Sequence, residues 1–126
     1  PQTETDILKY IEDNNLNATK SSSGLYYVIN NEGTGIRPTS NSNVTVAYKG
    51  YYLDGNVFEQ SNAAGISFGL NQLIKGWTEG ITYFREDGDG ILLIPYNLGY
   101  GEIGFPMSGI PGGAVLVFDV KLIRVN

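Results

Sequence analysis

The sequence predicts an α+β fold: an antiparallel, twisted sheet of five to six strands wrapped around one short helix, with a further helix at the N-terminus. Three observations carry that prediction. Short β-prone runs recur along the chain, separated by turns rich in Asn, Asp and Gly. The last segment, 114–125, sets Val115, Val117, Asp119 and Lys121 against Leu116, Phe118, Val120 and Leu122, the period of a long strand. Only two stretches read as helix, so a sheet folded over the central one is the arrangement that buries both apolar surfaces.

Taken in order, residues 3–14 form an amphipathic helix, with Thr3 and Asp6 as a capping box and Ile7, Leu8 and Ile11 on one face. The Asn- and Ser-rich stretch 14–24 is expected to be a loop, which divides the chain into an N-terminal helix with polar linker (1–24) and a main domain (25–126). A strand over 25–29 runs into an Asn-Asn-Glu-Gly-Thr-Gly turn at 30–35. In the strand 44–53, Val44, Val46 and Tyr48 point one way and Thr45, Ala47 and Lys49 the other. Asp54-Gly55 is a hairpin signal that returns the chain through Val57 and Phe58. A short helix spans 75–83, and Asp87-Gly88-Asp89-Gly90 is a turn ahead of a strand at 91–94. That turn lacks the downstream Glu and flanking helices of a calcium loop, so a β-turn is the better reading. Region 95–113, dense in Gly and Pro, is a long irregular loop, and loops of that length usually carry function.

Composition narrows the chemistry. The chain has 126 residues, 41% hydrophobic and 17% charged, the balance of a folded domain with one core. Its net charge is −5, with eight scattered Lys and Arg, which argues against nucleic acid as a partner. No apolar run approaches the roughly 20 residues of a membrane helix. Neither cysteine nor histidine is present, which removes disulfides, thiol nucleophiles and histidine-based acid–base or metal chemistry. Any catalysis must use carboxylates, tyrosines, backbone dipoles or desolvation, and no metal or organic cofactor is expected. The chain opens at Pro1 rather than Met, so a processed product in an exported or periplasmic setting is expected.

The most informative stretch is Leu73-Ile74-Lys75-Gly76-Trp77-Thr78-Glu79-Gly80, which places two aliphatic residues before a glycine and the single tryptophan. A Trp ring offers a large, flat and rigid surface for a ligand. This stretch resembles the V-I-x-G-W pocket floor of FKBP-type peptidyl-prolyl isomerases, and other motifs follow in the same order. Val46-Ala47-Tyr48-Lys49-Gly50 is similar to the family's first core strand. Asp54-Gly55-Asn56-Val57-Phe58-Glu59 is similar to its D-G-x-x-F-D hairpin. Ile94-Pro95-Tyr96 through Leu98-Gly99-Tyr100-Gly101 resembles I-P-x-x-x-A-Y-G, and Ile110-Pro111 and Leu116-Val117-Phe118-Asp119-Val120 resemble the family's I-P and L-x-F-x-V elements. The resemblance covers 43–124, about two thirds of the chain.

What the resemblance implies is a pocket around one prolyl ring, with Trp77 as floor and Tyr48, Phe58 and Phe118 as walls. The Tyr100 hydroxyl and the Ile74 backbone N–H would donate to substrate carbonyls. Tyr48, Phe58, Glu59, Trp77, Tyr100 and Phe118 are the implied catalytic set; Leu73, Ile74, Ile66, Ile110 and Phe105 are the implied binding set. The chain also departs from the family pattern. Glu59 stands where the family has Asp, and 61–65 holds no Arg to pair with it. Ile66 falls at an aromatic wall position, and the loop 104–109 is one residue longer, with Phe105 at the rim.

A site without nucleophile or cofactor suits prolyl isomerisation, whose barrier is the loss of amide resonance, roughly 18–20 kcal/mol for a peptide bond. The implied function is therefore a peptidyl-prolyl cis-trans isomerase acting on proline-containing polypeptides, with macrolide FKBP ligands as candidate occupants. The alternative is a weakly catalytic or non-catalytic module, or chaperone, that binds proline segments. A third reading is an adaptor that associates through its front helix and linker.

Overall fold

The computed structural model describes every residue, Pro1–Asn126. Two α-helices, α1 (Glu4–Asp13) and α2 (Lys75–Gly80), accompany seven strands: β1 (Thr19–Lys20), β2 (Tyr26–Asn31), β3 (Asn43–Tyr51), β4 (Val57–Gln60), β5 (Ile66–Gly69), β6 (Asp89–Ile94) and β7 (Leu116–Val125). The strands form one antiparallel sheet in the order β1-β2-β6-β7-β3-β4, with β5 also paired to β3. The expected α+β architecture is present, with seven strands where five to six were anticipated.

Two local features account for the difference. The outer edge of β3 is shared: β5 pairs with its first half, Val46 opposite Ile66, and β4 with its second half, Lys49 opposite Gln60. The polar stretch expected to be wholly loop contains β1, whose Thr19 and Lys20 pair with Tyr27 and Tyr26. A two-residue edge strand needs no apolar alternation, because both of its side chains are exposed.

The sheet is buried on both faces. Its inner face carries Val44, Val46, Tyr48, Leu92, Ile94, Leu116, Phe118, Val120 and Leu122 in one core with Trp77 and Ile81. Its outer face carries Tyr26, Val28, Leu93, Val115 and Val117 in a second core with Ile7 of α1. Unbroken apolar runs such as Leu92-Leu93-Ile94 and Leu116-Val117-Phe118 follow from this, since alternate residues serve opposite cores.

On α1, Ile7 is buried, with Tyr10 and Ile11 packed beside it at i+3 and i+4; Leu8, expected on that face, is rotated off it and 48% exposed. The N-cap bond is present, Thr3 N–H donating to Asp6 Oδ2 at 2.7 Å. The helix is stitched to the sheet at its start. Glu4 Oε2 accepts from the Tyr26 hydroxyl and from Lys20 Nζ, each at 2.6 Å. The Gln2 N–H donates to the Gly113 carbonyl and the Gln2 side-chain oxygen accepts from the Val115 N–H, each at 2.8 Å.

Inside the sheet, α2 lies against β6 through its glycines. A Cβ added at Gly76 would stand 2.6 Å from Ile94 Cγ2, and one at Gly80 would stand 2.7 Å from Leu92 Cδ2. The two glycines are four residues apart and so share a helical face. Their missing side chains let the helix sit directly on the strand, with Trp77 projecting alongside. A 3-10 turn, Ile81–Tyr83, continues the helix to the end of the segment expected to be helical.

Two predictions follow from this packing. Overpacking costs about 1–3 kcal/mol, and contact with three Ile94 atoms at once places Gly76→Ala at the upper end. The opposing gain in helix propensity is about 1 kcal/mol. Gly76→Ala is therefore expected to lower the denaturant midpoint, and adding Ile94→Val to restore part of it. The second prediction concerns the nine tyrosines. Burial, aided by neighbouring carboxylates, pushes the hydroxyls of Tyr26, Tyr48 and Tyr83 up to about 12 and that of Tyr51 further up. Folded-state values above the unfolded value of about 10 mean that their contribution to stability is complete below pH 10 and is lost as pH climbs through 12. Absorbance titration of tyrosinate should show these groups ionising only as the protein unfolds; a single wave near pH 10 in the folded protein would contradict the burial.

Candidate active site

The site is built where α2 begins. Thr78 Oγ1 donates to the Leu70 carbonyl at 2.6 Å, tying the helix to the 3-10 turn before it and fixing Leu73 and Ile74 between them. Trp77, one residue before Thr78, is 4% exposed. Three rings meet it edge to face: Tyr48 from β3 at 5.1 Å and 87°, Phe118 from β7 at 5.3 Å and 89°, and Phe68 from β5 at 5.7 Å and 74°. Walls standing perpendicular to a flat floor leave a hollow above it. That hollow is a cavity of about 110 Å³ lined by Tyr48, Glu59, Phe68, Leu73, Ile74, Trp77, Tyr100 and Phe118. An apolar cavity of about 150 Å³ takes a benzene ring, so this one suits a five-membered ring.

A register shift in β4 aims two consecutive side chains at this side of the sheet. Gly50 pairs with Glu59 and Tyr51 with Val57, leaving Phe58 as the extra residue of a bulge. Phe58 packs edge-on against Phe118 at 5.6 Å and stacks on Tyr52 at 4.9 Å, while Glu59 lines the cavity. Gly50 makes room for both rings: a Cβ there would stand 2.7 Å from Phe118 and 2.8 Å from Phe58.

Two donors at the cavity are free. The Ile74 N–H, at the N-cap of α2, has no backbone acceptor. The Tyr100 hydroxyl likewise has no side-chain partner, and its ring is held parallel to Phe105 at 5.4 Å and 10°. Burial raises the Tyr48 hydroxyl to about 12, with the charge of the neighbouring Glu59 and a hydrogen bond towards it adding to the shift. Burial first and Glu59 second also raise Tyr100, so both hydroxyls stay protonated donors at physiological pH.

Of the residues singled out in the sequence, Tyr48, Glu59, Leu73, Ile74, Trp77, Tyr100 and Phe118 line the cavity together. Phe58 stands behind Phe118, and Phe105 behind Tyr100. Ile110 is buried in the inner core, and its N–H donates to the Phe105 carbonyl at 3.1 Å, closing the loop that carries that ring. Ile66 is 43% exposed, outside the cavity lining. The aromatic wall is supplied two residues later by Phe68, which sequence reasoning missed. Its signal was parity: Ile66 and Phe68 share a face, and Phe68 is the residue paired with Val44. A larger open groove of about 820 Å³ lies on the sheet's other side beside α1, but polar residues such as Lys49, Gln60, Asp89 and Lys121 dominate its lining and no aromatic cage encloses it.

Comparison with known proteins agrees with this geometry. The sequence model of FKBP-type peptidyl-prolyl cis-trans isomerases matches residues 35–123. A probable FKBP-type peptidyl-prolyl cis-trans isomerase FkpA from Neisseria meningitidis serogroup B is 45% identical over 108 residues, covering 84% of this chain and 39% of that protein. The crystal structure of FkpA from Escherichia coli superimposes with a TM-score of 0.87 at 36% identity, covering 97% of this chain and 58% of that one. A peptidyl-prolyl cis-trans isomerase from Pseudomonas syringae superimposes with a TM-score of 0.84 at 27% identity, over 100% of this chain and 97% of that one. The chain spans about two fifths of the length of the curated relatives it matches. Motif order, sheet topology and the aromatic cavity converge with these matches: the chain belongs to the FKBP-type peptidyl-prolyl cis-trans isomerase family.

Proposed function

We propose that this chain catalyses cis–trans isomerisation of X-Pro bonds in polypeptides, holding the prolyl ring on Trp77 between Tyr48, Phe68 and Phe118. The observation that carries this reading is a half-open aromatic cavity of prolyl size with two free hydrogen-bond donors, Ile74 N–H and Tyr100 Oη–H, at its edge. In the planar ground state the X-Pro amide is strongly dipolar and water stabilises it. In the twisted transition state the C–N bond is nearly single and the carbonyl has lost much of its dipole. An apolar cavity receives the twisted form at smaller desolvation cost, and the donors hold the neighbouring chain so that rotation occurs about one bond. Each 1.4 kcal/mol or so of preference for the twisted form is a factor of ten in rate. Glu59, the charged member of the lining, sets the potential felt by whatever group rotates past it.

Proline-containing polypeptides are the proposed substrates and macrolide FKBP ligands the proposed inhibitors. An exported, periplasmic setting belongs to the same proposal, and cell fractionation tests it. The primary test is the cis-to-trans rate of a short X-Pro-Phe peptide with and without the protein, run beside titration with a macrolide that quenches Trp77 fluorescence. Acceleration that the macrolide blocks supports the isomerase. Binding without acceleration would instead make the chain a proline-segment binding module.

Two variants sharpen the assignment. Trp77→Ala removes a buried ring and is expected to cost roughly 3–5 kcal/mol in stability and to abolish acceleration; retained acceleration would refute the cavity as the site. Tyr100→Phe keeps the ring stacked on Phe105 and deletes only the donor. The loss of one hydrogen bond, about 0.5–1.5 kcal/mol, predicts ligand affinity reduced by about two- to tenfold at unchanged thermal stability. Unchanged affinity would take that hydroxyl out of the site.

A further inference from the structure

The mouth of the cavity carries one full negative charge that the fold leaves unneutralised. Glu59 is the one lining residue that is not hydrophobic. It takes part in no ion pair: the pairs in the molecule are Lys9–Asp13, Lys20–Glu4 and Arg37–Glu32, all on other surfaces. The cations nearest to the site in sequence are turned elsewhere. Lys49 sits over the Tyr51 ring at 5.6 Å and lines the groove on the outer face of the sheet. Lys75 lines an open groove with Thr78, Glu79 and Thr82 on the far side of α2. Ordinary pairing with Gly50, whose Cβ side faces the Phe118 and Phe58 rings, aims the exposed Glu59 inward, and the β4 bulge brings Phe58 to the same side.

A polypeptide seated by its proline must pass the residues next to that proline across this mouth. A lysine or arginine there meets an unpaired carboxylate; an aspartate or glutamate meets a like charge at short range. The remaining lining side chains are neutral, so no other group offsets either effect. We propose that Glu59 makes the site selective for X-Pro segments that carry a cationic residue beside the proline and disfavours segments that carry an acidic one. This rests on the isomerase reading for the position of the polypeptide, and it concerns which polypeptides the site prefers. Because Glu59 is exposed, the preference is of the size seen for solvent-screened pairs, roughly two- to tenfold between a lysine and a glutamate peptide, and it weakens with salt.

The test uses peptides alike except for Lys, Leu or Glu placed immediately before the proline, and a second series with the change immediately after it. Binding is measured by calorimetry and turnover by the isomerisation rate, at low and at high salt, for the unaltered protein, Glu59→Gln and Glu12→Gln. Glu12 is an exposed carboxylate on α1, away from the cavity, and its variant changes net charge equally. The expected result is a Lys-over-Glu preference in at least one series that collapses towards unity in Glu59→Gln and at high salt, and persists in Glu12→Gln. An equal preference in the unaltered protein and Glu59→Gln would overturn the proposal. So would an equal collapse in Glu12→Gln, which would assign the effect to the overall charge of −5. Charge-selective binding without turnover would uphold the selectivity and overturn the isomerase reading; turnover without charge preference would do the reverse, and absence of binding would overturn both.

Discussion

The close approach of α2 to β6 is the constraint on which the rest of this structure depends. Trp77 can be a floor only if its helix sits low on the sheet, and the helix can sit low only because positions 76 and 80 carry no Cβ. With the floor fixed there, rings from three different strands reach its edges, and each stands nearly perpendicular to it. Edge-to-face contacts hold rings apart at defined angles. A cluster of parallel-stacked rings would have filled the same space and left no cavity.

The same low helix demands support from behind. A sheet with a water-exposed outer face would be held by one core alone, whereas here Ile7 of α1 and the outer set Tyr26, Val28, Leu93, Val115 and Val117 make a second. The segment 1–24 reaches the loop behind the site through Gln2, which bonds Gly113 and Val115 on either side of Ala114. Those residues lead directly into Leu116 and Phe118. The N-terminal residues thus help to set where the strand carrying one cavity wall begins.

Much of this was legible in the sequence, and the exceptions are instructive. Alternation in 44–51 and 114–125 was clear because each strand places different residue types on its two faces. The Asp54-Gly55 hairpin was clear because turn chemistry is local. Phe68 was missed because a four-residue strand offers too few positions to fix a register, and Ile66 and Phe68, two residues apart on one face, are equally eligible by parity to be the wall. β1 was missed because its two exposed residues carry no pattern. The bulge at Phe58 was invisible for a different reason: strict alternation sends consecutive side chains to opposite faces, and only a pairing irregularity brings Phe58 and Glu59 to the same one. The site's ring and its single charge thus sit on consecutive residues, an arrangement beyond any reading of periodicity.

A pocket of this kind works against the stability of the fold that holds it. Empty volume costs about 24 cal/mol per Å³ in a closed core, so a cavity of about 110 Å³ costs up to about 2–3 kcal/mol, less where water enters. Free donors at Ile74 and Tyr100 forgo the bonds that most half-buried polar groups make. A sequence selected for stability alone would fill the hollow with a larger side chain and bond the hydroxyl to Glu59. That it does neither, while every fully buried side-chain polar atom elsewhere has found a partner, separates this cavity from an ordinary packing defect. Defects are scattered and apolar; here the missing volume, the missing bonds and the unpaired carboxylate coincide at one place. Such coincidence is what a group entering from outside requires, with a ring to fill the volume, carbonyls to meet the donors and a flanking residue to face the charge.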